Sequence, residues 1–80
     1  MGAFSGKDGE FILKNAVENV KMELVAGNIS KKKAYAIAKG APNSEAAQNA
    51  GLSQSKDMTA EELEIFVRIL FTRFTPKQEI

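Results

Sequence analysis

Acidic side chains at the start of the last predicted helix are the first candidates for chemistry. Glu61, Glu62 and Glu64 lie close enough in sequence to suggest general acid–base work. Carboxyl groups that act as acids or bases are usually buried, whereas these three belong to an exposed helix start and to the polar strip of that helix. The sequence has no histidine and no cysteine, so a nucleophile has no usual base beside it. We therefore expect no enzymatic activity, cofactor, metal or small-molecule substrate.

A second set of side chains could bind nucleic acid. Lysine side chains bind phosphates, and asparagine and glutamine pair well with adenine in the major groove of DNA. The candidates of both kinds, together with a serine at the start of the second helix, are Lys31, Lys32, Lys33, Asn43, Ser44 and Gln48. The three lysines are otherwise explained as a solvated face, or as the contact for an acidic protein surface.

The spacing of small residues in this region resembles the helix-turn-helix unit of DNA-binding proteins. Ala36 and Gly40 are four residues apart, as are the small residue and the turn glycine of that unit. Ala46 would then take the position that locks the second helix onto the first. The resemblance implies an alternative interpretation of the chain as a dimeric DNA-binding regulator, with the helix-turn-helix at about residues 31–49.

Charge and composition favour protein binding over this alternative. Lys39 and Asn49 occupy positions where the helix-turn-helix unit usually has aliphatic residues, and the second helix has no lysine or arginine. The whole chain has 11 basic and 10 acidic residues, whereas strong nucleic-acid binders usually have a pronounced basic excess. We therefore expect a protein partner, with nucleic acid as the less favoured one.

The length and the absence of cysteine bound the architecture. Eighty residues make one small domain, residues 1–80, which buries only a modest fraction of its surface. Domains of this size often need a disulfide, a metal or a second subunit, and no disulfide is available. No signal peptide and no apolar run long enough to span a bilayer is seen, so we expect a cytoplasmic protein without membrane contact.

Periodic apolar residues predict an all-α bundle of about four helices, two long and two short. The first helix is predicted over residues 9–26, with Ser5 and Asp8 as a capping box and one buried stripe that includes Leu13. The others are predicted to begin at capping residues and to end at two glycines and a proline: Ser30 to Gly40, Asn43 or Ser44 to Gly51, and Thr59, with Glu62 in its capping box, to Pro76. Residues 51–58 are predicted to be a polar loop, and residues 1–8 and 76–80 loose termini.

The last helix has more apolar surface than one neighbour can cover. At about 100° per residue, its apolar arc spans about 240°, against the slightly more than 100° typical of a surface helix. The first helix is expected to cover one face, and the alanine-rich middle helices little more. The side chains left over predict a self-association surface, or a surface for another protein, made of Ile65, Phe66, Ile69, Phe71 and Phe74. A compact monomer with this helix at its centre is the alternative.

Overall fold

The computed structural model describes residues 2–74, and for Phe74 the backbone only. Within this range the chain forms five helices and no strand, which confirms the all-α prediction and corrects the number of helices from four to five. The helices are α1 (Gly6–Asn15), α2 (Glu18–Ala26), α3 (Lys31–Gly40), α4 (Glu45–Gln54) and α5 (Ala60–Phe74). Residues 6–8, expected to be loose, are the first residues of α1, and residues 76–80 lie outside the described range.

The extra helix arises because the predicted first helix is two helices. Ala16 and Val17 are extended, with ψ values of 143° and 167°, and they separate α1 from α2. The backbone groups freed by the break are bonded by α4: the N–H of Val17 donates to Oε1 of Gln48 at 2.8 Å, and Nε2 of Gln48 donates to the carbonyl of Asn15 at 2.8 Å. The prediction of one helix over residues 9–26 is wrong because a residue far along the chain stabilises the break.

The second correction concerns the length of α4. Gly51 was expected to end this helix and to begin a polar loop, but α4 continues to Gln54. Gly51 is buried inside the helix, and a Cβ at this position would lie 2.5 Å from Cγ1 of Val67 on α5. The glycine therefore provides a close approach between two helices, and it does not act as a helix terminator.

The predicted helix starts are largely confirmed. The hydroxyls of Ser30 and Ser44 accept hydrogen bonds from backbone N–H groups in the first turns of α3 and α4. The capping box of α5 is complete, since Glu62 N–H donates to Thr59 Oγ1 at 3.2 Å and Thr59 N–H donates to Glu62 Oε1 at 2.9 Å. The box expected at Ser5 does not form, because the Ser5 hydroxyl donates to the carbonyl of Gly2.

The core is organised around α3, which contacts all four other helices. The largest fully buried apolar side chains come from α1, α2, α3 and α5: Ile12, Val20, Ile37, Leu63 and Val67. α5 packs mainly on α3 and α4, so the expectation that the first helix covers it, and the middle helices little, is wrong. The alanines and glycines of α3 and α4 cover α5 well because their small side chains let the helices pack close together.

Candidate protein interface

Helix α5 directs two isoleucines away from the core. Ile65 is 56% exposed and Ile69 is 50% exposed, although both are large apolar residues. They are four residues apart, so they lie one helical turn apart on the same face. Leu63 and Val67 lie on the opposite face and are fully buried. The two faces of α5 therefore have different surroundings: one is the domain core and the other is solvent.

Close packing fixes which face of α5 points outward. Val67 lies against two glycines, since a Cβ at Gly40 would be 2.5 Å from Val67 Cγ2 and a Cβ at Gly51 would be 2.5 Å from Val67 Cγ1. The carbonyl oxygen of Glu64 is also 2.5 Å from the position of a Cβ at Gly40. Such contacts leave little room for α5 to rotate, so the outward position of Ile65 and Ile69 is built into the domain.

Charged residues accompany the isoleucines along α5, with acids before them, Arg68 between them and Arg73 after them. Glu61 and Glu62 lie in the first turn of α5 and are exposed. Arg68 and Arg73 lie further along the helix and are also exposed, with Arg68 paired to Glu64 at 2.5 Å. This order agrees with the helix dipole, and it makes the outward face acidic near its start and basic near its end.

The remaining predicted interface residues lie elsewhere on α5. Phe66 and Phe71 are half-buried and pack against the core. At about 100° per residue, Phe71 lies about 120° from Ile65 around the helix, so it does not share a face with the isoleucines. The side chain of Phe74 lies outside the described part of the structure. The candidate surface is therefore centred on Ile65 and Ile69, with Phe66 at one edge.

A second apolar area, which the sequence did not reveal, lies on α1 and α2. Leu13, Met22 and Val25 are 49%, 58% and 65% exposed and line a shallow groove together with Phe4 and Ala26. The sequence pattern assigned Leu13 to the buried stripe because it treated the two helices as one. The same predicted stripe included Val20 and Leu24, and the structure confirms that both are buried on α2, whereas Leu13, just before the break at Ala16 and Val17, is exposed.

The lysine run is largely used within the domain. Nζ of Lys33 donates to the backbone carbonyl of Ser55 at 2.6 Å, at the end of α4, where a cation is favoured by the helix dipole. Nζ of Lys31 donates to the carbonyl of Ser5 at 2.7 Å, just before α1. Lys32 is exposed. Two of the three lysines thus link α3 to other elements, a use that no local sequence rule indicates.

The polar residues that were predicted to contact DNA do not form one outward surface. Gln48 is fully buried, and its amide bonds to backbone groups, so it does not face outward as the helix-turn-helix interpretation requires. Ser44 caps α4. Asn43 is exposed, with a left-handed φ of 57°, and its N–H donates to the carbonyl of Asn15. Ala46, the proposed locking residue, is exposed, and the buried residue is Ala47.

Two other kinds of site are absent from residues 2–74. No group of three or more acidic side chains in this range is arranged to hold a metal ion. Nor does this range contain a helix of the length and apolar character needed to cross a membrane. Comparisons with protein-family models, with curated proteins and with solved structures gave no match.

Proposed function

We propose that this chain is a non-enzymatic helical subunit that associates with itself through α5. The observation that carries the proposal is the outward position of Ile65 and Ile69 on a helix whose other face is fixed by the core. Full burial of such a side chain contributes about 1.5–3 kcal/mol, and each isoleucine still has half of its surface in water. In a symmetric pair each residue contributes twice, once from each chain.

The surface also has the composition of a binding face. Two apolar side chains lie at its centre, and the charged residues are at its edges, as in many interfaces with an apolar core and a polar rim. The DNA-binding alternative gains no comparable support. Helix α4, which would enter the major groove, begins with Glu45 and has no basic residue along its described length. Arginine and lysine are the residues that make the commonest specific base contact.

Sedimentation equilibrium of paired variants tests the proposal. We expect Ile69→Glu to dissociate the oligomer, because it places a charge at the centre of the proposed surface. Val25→Glu is the matched control, since Val25 is even more exposed and lies on the other apolar area. The control should leave the oligomer intact. Dissociation by Val25→Glu but not by Ile69→Glu would place the interface on α1 and α2 and refute the proposal.

Circular dichroism of the same proteins separates dissociation from unfolding. Ile69→Glu should retain its helix content, because the side chain it replaces does not belong to the core. Ile65→Glu is the second variant, one turn away on the same face, and we expect the same result from it. If both variants have lost their helix content even at low temperature, the isoleucines stabilise the single domain and the proposal is wrong.

A further inference from the structure

We infer that the second copy binds with its α5 antiparallel to the first, around a two-fold axis near the level of Val67. This inference rests on the proposed self-association and adds its orientation and register. It follows from the charges at the two ends of the outward face, where Glu61 and Glu62 precede the isoleucines and Arg73 follows them.

Helix geometry places the exposed polar residues at the two ends of α5 on the edges of the outward face. At about 100° per residue, Glu62 and Arg73 lie within about 20° of each other, on one side of Ile65 and Ile69. Glu61 and Thr72 lie equally close together on the other side. All four of these edge residues are exposed. The outward face therefore has an apolar centre and two polar edges, each with an acid near the start of the helix.

A two-fold axis perpendicular to the helix places the same edge of the two copies side by side, with the two helices running in opposite directions. With the axis at the level of residue 67, Ile65 of one copy lies across from Ile69 of the other. Glu62 then lies across from Arg73 of the second copy, and Glu61 across from Thr72. Both isoleucines of each chain are covered. Each contact between residues occurs twice, because the axis exchanges the two chains.

A parallel arrangement lacks this complementarity. It would place the exposed Glu61 and Glu62 of both copies together at one end, and Arg73 of both copies at the other. Like charges that lie next to each other on two packed helices repel and destabilise the pair. It would also align the two helix dipoles, whereas the antiparallel arrangement opposes them. The charges at the two ends of the outward face therefore favour the antiparallel orientation, while Arg68, near the axis, is paired to Glu64 of its own chain.

Site-specific cross-linking tests the orientation, because the natural chain has no cysteine. Two single variants are needed, Glu61→Cys and Thr72→Cys, which leave Ile65 and Ile69 in place. A short bismaleimide should join the chains when the two variants are mixed and re-equilibrated. Neither variant alone should react efficiently, since like positions in the antiparallel pair are separated by about 15 Å along the helix or more. The expected result is a several-fold higher yield of cross-linked dimer from the mixture.

The other outcomes distinguish the orientation from the association itself. Cross-linking of each variant alone, with little in the mixture, would indicate a parallel pair and overturn the inference while leaving self-association intact. No cross-linking in any sample, with an oligomeric natural chain that Ile69→Glu dissociates, would also overturn the register. A natural chain that stays monomeric at all concentrations would instead refute the proposed function.

Discussion

The side-chain oxygen of Gln48 accepts a hydrogen bond from the backbone N–H of Val17 at 2.8 Å, across 31 residues of sequence. The nitrogen of the same amide donates to the carbonyl of Asn15 at 2.8 Å and to that of Ala41 at 2.7 Å. One buried side chain thus bonds the backbone on both sides of the break between α1 and α2, and also the turn after α3. Buried polar groups are costly without partners, and here all of these groups have one.

Gln48→Leu should destabilise the domain strongly. Leucine has a similar size but leaves the N–H of Val17 without its partner, and an unpaired buried group costs about 1–3 kcal/mol. With the bonds to two carbonyls also removed, we expect a loss of about 2–4 kcal/mol in the free energy of unfolding, measured by urea titration. Gln54→Leu is the control on the same helix, because Gln54 is exposed. Equal effects of the two variants would show that the Gln48 amide contributes little.

The sequence predicts those elements of the fold that depend on neighbouring residues. Ser30, Ser44 and the Thr59–Glu62 box act within one helical turn, so local rules find them. The backbone at the break before α2 is bonded by Gln48, and Gly51 inside α4 leaves room for Val67 of α5. Both effects come from residues distant in sequence. The periodicity of a single sequence does not reveal contacts between residues that are far apart along the chain.

The same distinction applies to the candidate site. The width of the apolar arc on the last helix depends only on the sequence of that helix. This width predicts that one neighbouring helix cannot cover Ile65 and Ile69. Which flank the core would cover depends on packing, and the structure places Phe71 against the core. The roles of Lys31 and Lys33 are also tertiary, because each lysine donates to a carbonyl more than twenty residues away.

The contact between Gly51 and Val67 provides a test of how α5 is held. Gly51→Ala adds a methyl group 2.5 Å from Val67 Cγ1, and overpacking of this kind costs about 1–3 kcal/mol. Alanine favours a helix by up to about 1 kcal/mol over glycine, so the net effect should be a modest loss of stability. Val67→Ala should make Gly51→Ala less harmful, and a double-mutant cycle by thermal unfolding measures that coupling.

Gly40→Ala is the matched comparison for this cycle. A Cβ at Gly40 would also lie 2.5 Å from the backbone oxygen of Glu64, which shortening Val67 does not move. We therefore expect Val67→Ala to relieve Gly40→Ala less than it relieves Gly51→Ala. Additive effects at Gly51 would show that the two helices are not in close contact there.

The lysine run provides a third prediction, which separates structural lysines from solvated ones. Lys33→Met removes the hydrogen bond to the carbonyl of Ser55 and should lower the free energy of unfolding by about 0.5–1.5 kcal/mol. Lys32→Met, at the exposed neighbouring position, should change it by less than about 0.5 kcal/mol. Guanidinium chloride would screen charges, so urea is the better denaturant for this comparison. A reversed order would contradict the contact between Lys33 and α4.

The mass of the natural chain in solution tests the central claim most directly. Sedimentation equilibrium over a wide range of concentrations should give, at the upper end, the mass of at least two 8.7-kDa chains, with reversible dissociation on dilution. The apolar face around Ile65 and Ile69 would then be covered in the assembled state. A mass of one 8.7-kDa chain at every concentration would contradict self-association through α5.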